Sequence, residues 1–148
     1  MSTTTAAASV QIEATPDDVW HALTEPELVR RYFMGATIST DWEVGHPITW
    51  DGEWNGQDYQ DKGEVLAVEQ GRRLTMSHWS PLAGGRDAPE EYHVIDIELE
   101  PEGDATRVTL RQSNLTGGVT DADREHRSEY EENWATTLRG LKDVVEEP

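Results

Sequence analysis

Apolar and polar positions alternate through most of this chain, and Gly, Pro and Asn break the alternation at intervals. Val10-Gln11-Ile12-Glu13-Ala14 has the period of two that sets successive side chains on opposite faces of a strand. The pattern then changes. Thr15-Pro16-Asp17-Asp18 starts a helix: Thr15 caps it, proline suits the first helical position, and Asp18 completes a capping-box-like spacing. Val19, Trp20 and Leu23 supply its apolar face. Thr24-Glu25-Pro26-Glu27 repeats the signal, and a second short helix follows with Leu28, Val29, Tyr32 and Phe33, ended by Gly35.

From Ala36 the period of two returns. Ala36 to Trp42 is one candidate strand, broken at Gly45-His46-Pro47. Ile48, Trp50 and Trp54 share one face of the next, and Asn55-Gly56 is a two-residue hairpin signal. Gly63 to Glu69 reads as a third strand. Leu74, Met76 and His78 alternate on a fourth, and Pro81 to Pro89 is a loop rich in Gly and Pro. His93, Ile95, Ile97 and Leu99 alternate on a fifth strand; Val108, Leu110, Gln112 and Asn114 do so on a sixth. After the loop Thr116-Gly117-Gly118-Val119, only Gly140 interrupts a helical pattern from Thr120 to about Glu147. Thr120 with Asp123 makes a capping box, and Tyr130, Trp134, Leu138, Leu141 and Val145 form one apolar stripe.

This order predicts an α+β fold: a curved antiparallel sheet of about six to seven strands around a long C-terminal helix, with two short helices after the first strand. Strands joined by hairpins pair antiparallel. The apolar face of the sheet must be covered, and the long helix is the only element large enough. One domain over residues 10–148 is expected, preceded by a disordered tail over residues 1–9, which are small and polar with no basic or apolar leader pattern.

Charge changes what such a domain meets. Thirty Asp and Glu face twelve Lys and Arg, a net charge of −18. A surface this acidic repels phosphate backbones and anionic lipid, so neither nucleic acid nor a membrane is an expected partner. Val, Leu, Ile and Phe make up about 18% of the chain, a composition that with this charge borders on disorder. The periodicity and six tryptophans argue for a fold instead. Adaptation to concentrated salt and ordinary acidity with an arginine bias both fit the charge. No cysteine is present, which removes disulfides and thiolate chemistry and fits a cytoplasmic protein.

The strand and helix faces nominate a site. Trp50, Trp54, Met76, Ile95, Val108, Leu110, Tyr130 and Trp134 are candidate walls of a cavity between sheet and helix, with His78, His93, Gln112 and Asn133 as polar groups. Core packing is the competing reading for each tryptophan, and a satisfied hydrogen bond for each histidine. No nucleophile elbow, phosphate loop or His-x-x-x-His spacing occurs, so no catalytic residue, metal ligand or cofactor is assigned.

Several of these stretches carry a resemblance. Ile12-Glu13-Ala14-Thr15-Pro16-Asp17-Asp18-Val19-Trp20, Leu23-Thr24-Glu25-Pro26-Glu27-Leu28, Gly63-Glu64-Val65-Leu66-Ala67-Val68 with Arg73-Leu74-Thr75-Met76, and Trp134 to Lys142 resemble the START-like (SRPBCC) superfamily. Within it they are most similar to the branch related to the activator of the heat-shock-protein-ninety ATPase. The resemblance implies the helix-grip fold. It also implies three functional readings: binding of a small apolar ligand, lipid-like or aromatic; a co-chaperone-like interaction protein with a filled core, partnering a chaperone or a second copy of itself; and a cyclase- or hydrolase-like enzyme using a cavity histidine. The first is favoured here; the enzyme reading needs an activated group in the pocket, and only His78 and His93 qualify.

Overall fold

The computed structural model describes residues 4–83 and 86–147. Seven strands and three α-helices follow one another as β1 (Thr4–Ile12), α1 (Pro16–Thr24), α2 (Pro26–Tyr32), β2 (Thr37–Ser39), β3 (Pro47–Trp54), β4 (Gln57–Glu69), β5 (Arg73–His78), β6 (His93–Glu102), β7 (Ala105–Asn114) and α3 (Asp121–Glu146). Strands β2 to β7 form a continuous antiparallel meander, and β1 adds to the free edge of β7, giving the order β1-β7-β6-β5-β4-β3-β2. This is the helix-grip arrangement, with two short helices after β1 and the long helix last.

Local chemistry fixes the helix starts. Thr15 accepts from the Asp18 amide at 3.3 Å, and prolines sit in the first turns of α1 and α2. At α3, Thr120 Oγ1 accepts from the Asp123 amide at 3.0 Å while Asp123 accepts from the Thr120 amide at 2.8 Å, a complete capping box. Asn55 and Gly56 both have positive φ, as the two-residue hairpin turn between β3 and β4 requires.

Three boundaries differ from the sequence expectation. The disordered tail expected over residues 1–9 is strand from Thr4 onward; residues 1–3 lie outside the described residues. Thr4–Ser9 is too uniformly small to alternate in hydropathy, yet it pairs with β7 and is covered by α3, so Thr5 and Ala6 are fully buried. Strand β4 begins at Gln57 rather than Gly63, because the two-residue turn continues pairing at once, Trp54 with Gln57. The strand expected from Ala36 to Trp42 is only Thr37–Ser39, and Trp42 takes a left-handed φ of 60°.

The core lies between the concave sheet and the helices. Ile12, Val19, Leu23, Val29, Ile48, Trp50, Val65, Leu74, Ile95, Ile97, Leu99, Val108, Leu110, Leu138 and Leu141 are all buried in one cluster. Helix α3 packs on β1, α1 and α2. Gly140 allows the approach to α2: a Cβ there would stand 2.9 Å from the Cβ of Tyr32.

Candidate functional site

Between the sheet and α3 lies a partly open apolar cavity. Its sheet wall is Ile38, Trp50, Leu74, Met76, Ile95, Ile97 and Leu110; its helix wall is Leu23, Val29, Tyr32 and Phe33 from the first two helices and Trp134, Thr137, Leu138 and Leu141 from α3. His78 completes it. Alternation explains the sheet wall: Leu74 pairs with Ile97, and Ile97 with Leu110, so one row of inward residues crosses three strands, with Met76 and Ile95 paired in the next. The room left for the centre of a water molecule is about 50 Å³. Three rings crowd one end: Phe33 stacks on Trp50 with centroids 6.4 Å apart and tilts against Trp134 at the same distance.

Six of the twelve candidate residues meet here: Trp50, Met76, His78, Ile95, Leu110 and Trp134. Gln112 is buried beneath them, accepting from the Trp134 indole N–H at 2.8 Å and donating to Thr5 Oγ1 at 3.1 Å. Val108 is fully buried in the core but does not reach the cavity. Trp54 stands at the end of the β3–β4 hairpin, 52% exposed, and Asn133 faces solvent on α3. Tyr130 and His93 pair off elsewhere, their ring centroids 6.5 Å apart beyond the cavity.

The polar groups are ordered along one end of the sheet. His78 opposes His93 on β6, which opposes Asn114 on β7. Asn114 donates to Asp123 at 2.8 Å. Burial, and then the neighbouring His78, push the His93 imidazole below its ordinary value, against the pull of Asp123 and Glu91. Burial of Asp123 opposes its ionisation, but the bonds from the Thr120 amide and from Asn114 outweigh it and hold this carboxyl below the usual range.

The residue that sequence reasoning missed is Asp61. It is 8% exposed, and its Oδ2 lies 2.9 Å from His78 Nε2. Its other oxygen, Oδ1, is buried with no hydrogen-bond partner. The edge of His78 in turn meets the Trp50 ring, centroids 5.0 Å apart at 70°. Hairpin arithmetic could have found Asp61: pairing outward from Asn55-Gly56 sets Trp50 opposite residue 61, on the same face. Among the described residues, no group of three or more His, Asp or Glu is placed to hold a metal ion, and no helix is long and apolar enough to cross a membrane.

A shallower hollow of about 400 Å³ opens on the other face of the sheet, beside Lys62, Leu66, Ser77, Asp87 and Tyr92. Lys62 pairs with Asp87 there, and Asp87 accepts from Tyr92 Oη at 2.6 Å, so its polar groups are already engaged with one another.

Among solved structures, ChR145 from Cytophaga hutchinsonii is 39% identical, with a TM-score of 0.75 over 99% of this chain and 97% of that one. The Aha1 dimer from Colwellia psychrerythraea shares the fold at 23% identity and a TM-score of 0.68, covering 96% of each chain. DynU16, a protein of the dynemicin biosynthetic locus, shares it at 20% identity and a TM-score of 0.76, over 96% of this chain and 47% of that one. No curated protein matches the chain. The family described as activator of Hsp90 ATPase homolog 1-like protein matches residues 13–146. With the capped helix pair, the six-stranded meander from β2 to β7 and the long closing helix all inside that span, the chain belongs to the activator of Hsp90 ATPase homolog 1-like family.

Proposed function

We propose that the protein binds a small apolar ligand, aromatic or lipid-like, in the cavity between the sheet and α3. The observation that carries this reading is the wall itself: aliphatic and aromatic side chains from three helices and five strands converge on one space, with His78 among its few polar groups. Ligand sites are mostly apolar concavities with a few placed polar groups. The present volume of about 50 Å³ is far below that of a drug-sized site, so a large ligand needs Phe33 and Trp134 to move apart. A ligand of one ring needs less. DynU16, from the dynemicin biosynthetic locus, has the same fold and supports a ligand-holding use of it.

The small volume also favours a second reading, a filled core serving an interaction protein. The Colwellia protein is a dimer, which supports self-association as the form this would take.

The deciding experiment is titration with N-phenyl-1-naphthylamine, an uncharged fluorescent probe, against the wild type and Ile95→Phe, which fills the cavity. Saturable binding by the wild type that is weakened at least tenfold in a folded Ile95→Phe protein supports the ligand reading. No saturable binding by the wild type moves the interaction reading ahead.

A further inference from the structure

We infer that the cavity selects apolar ligands carrying a hydroxyl group, and that Asp61 sets this preference through His78. The inference rests on the ligand-binding reading above and adds the chemistry of the ligand's polar end.

A carboxylate accepts hydrogen bonds and cannot donate them. With Asp61 Oδ2 at 2.9 Å, the facing His78 nitrogen, Nε2, must therefore carry the proton. In the neutral imidazole this leaves Nδ1 as an acceptor. Among the described residues no donor to Nδ1 is found, on a side chain 20% exposed, whereas Asp61 Oδ1 is buried without a partner on a residue outside the cavity lining. The polar end of the site thus offers one acceptor, His78 Nδ1, and no spare donor for a carbonyl or an ether. Its surroundings are apolar: Trp50 meets the His78 ring at 5.0 Å, and Met76 and Ile95 lie next along the wall. Once a bound ligand excludes water from these surroundings an unmet acceptor is costly, and a ligand that brings a donor avoids that cost. A phenol or a primary alcohol on a small hydrocarbon body has this complement. Asp61 acts as a positioning residue: it fixes which nitrogen of His78 presents its lone pair.

The test is an NMR titration of the full chain with four single-ring probes: p-cresol, toluene, 4-methylanisole and p-toluate. The wild type is expected to bind p-cresol about three- to tenfold more tightly than toluene or 4-methylanisole, the range of one hydrogen bond. That margin should shrink to less than about twofold in His78→Leu and in Asp61→Asn, whose amide tolerates either tautomer. Dispersed amide signals in the proton–nitrogen spectra of both variants check that they remain folded. Toluene or 4-methylanisole binding the wild type as tightly as p-cresol overturns the inference while the cavity reading stands. So does p-toluate binding most tightly, since that would require a doubly protonated, donating His78. Failure of all four to bind removes the cavity reading and this inference with it.

Discussion

The indole of Trp134 on α3 donates to Gln112 Oε1 on β7 at 2.8 Å, and Gln112 passes the connection on to Thr5 of β1. One buried amide therefore ties the long helix, the sheet and the edge strand together beside the cavity. Replacing Gln112 with leucine keeps the volume but strands a buried N–H. We expect Gln112→Leu to lose about 1–3 kcal/mol in urea denaturation, the penalty for an unmet buried polar group. A neutral or stabilising result would mean that the indole finds water instead.

Gly63 faces the backbone of β5 so closely that a Cβ would stand 1.8 Å from the Ser77 carbonyl oxygen. Backbone cannot swing aside as a side-chain tip can. Gly63→Ala is expected to cost about 3 kcal/mol or more, the upper end of overpacking penalties. A thermal melt within a degree or two of wild type would contradict the tight β4–β5 contact.

His93 makes a signed prediction for pH. Burial first, and His78 second, hold it below its ordinary value of 6.5. As pH falls, the unfolded chain takes up this proton before the folded one. The contribution is therefore present above about pH 6.5 and is lost as pH drops through and below that point. Protonating the many carboxylates relieves repulsion and works in the other direction, so the comparison must be with His93→Gln. Between about pH 7.5 and about pH 5.5, the wild type should lose more melting temperature than the variant. Parallel curves would place no such cost on His93.

The excess of carboxylates predicts a response to salt. Ion pairs such as Arg73–Asp96 at 2.8 Å weaken when screened, but a net charge of −18 leaves repulsion as the larger quantity. The melting temperature is expected to rise from about 0.1 M to about 2 M KCl. A flat or falling curve would count against adaptation to concentrated salt.

The fold was legible where residues differ strongly from their neighbours. Caps at Thr15 and Thr120, the Asn55-Gly56 turn and the α3 stripe each have a local cause, and each stands where the pattern put it. Thr4–Ser9 gave no such contrast; only pairing with β7 makes it a strand. The site was half legible for a related reason. Alternation places Met76, His78 and Ile95 on the inner face, but it cannot tell how far along a strand the cavity extends. Trp54 thus lies on a hairpin end that runs past the helix, and Val108 behind the cavity in solid core. Asp61 was obscured because a charged residue in a polar run reads as surface. Only the strand register, which sets it opposite Trp50, brings it inside.

The six tryptophans give the most direct measurement of the central claim, since their indole N–H signals resolve in proton–nitrogen spectra. Trp50 and Trp134 line the cavity, whereas Trp54 stands at the hairpin end and Trp79 stacks on Tyr92, centroids 6.3 Å apart, away from it. Titration with p-cresol should move the Trp50 and Trp134 indole signals saturably and together, leaving those of Trp54 and Trp79 in place. Movement confined to Trp54 and Trp79, or no saturable movement at all, would contradict a ligand site between the sheet and the long helix.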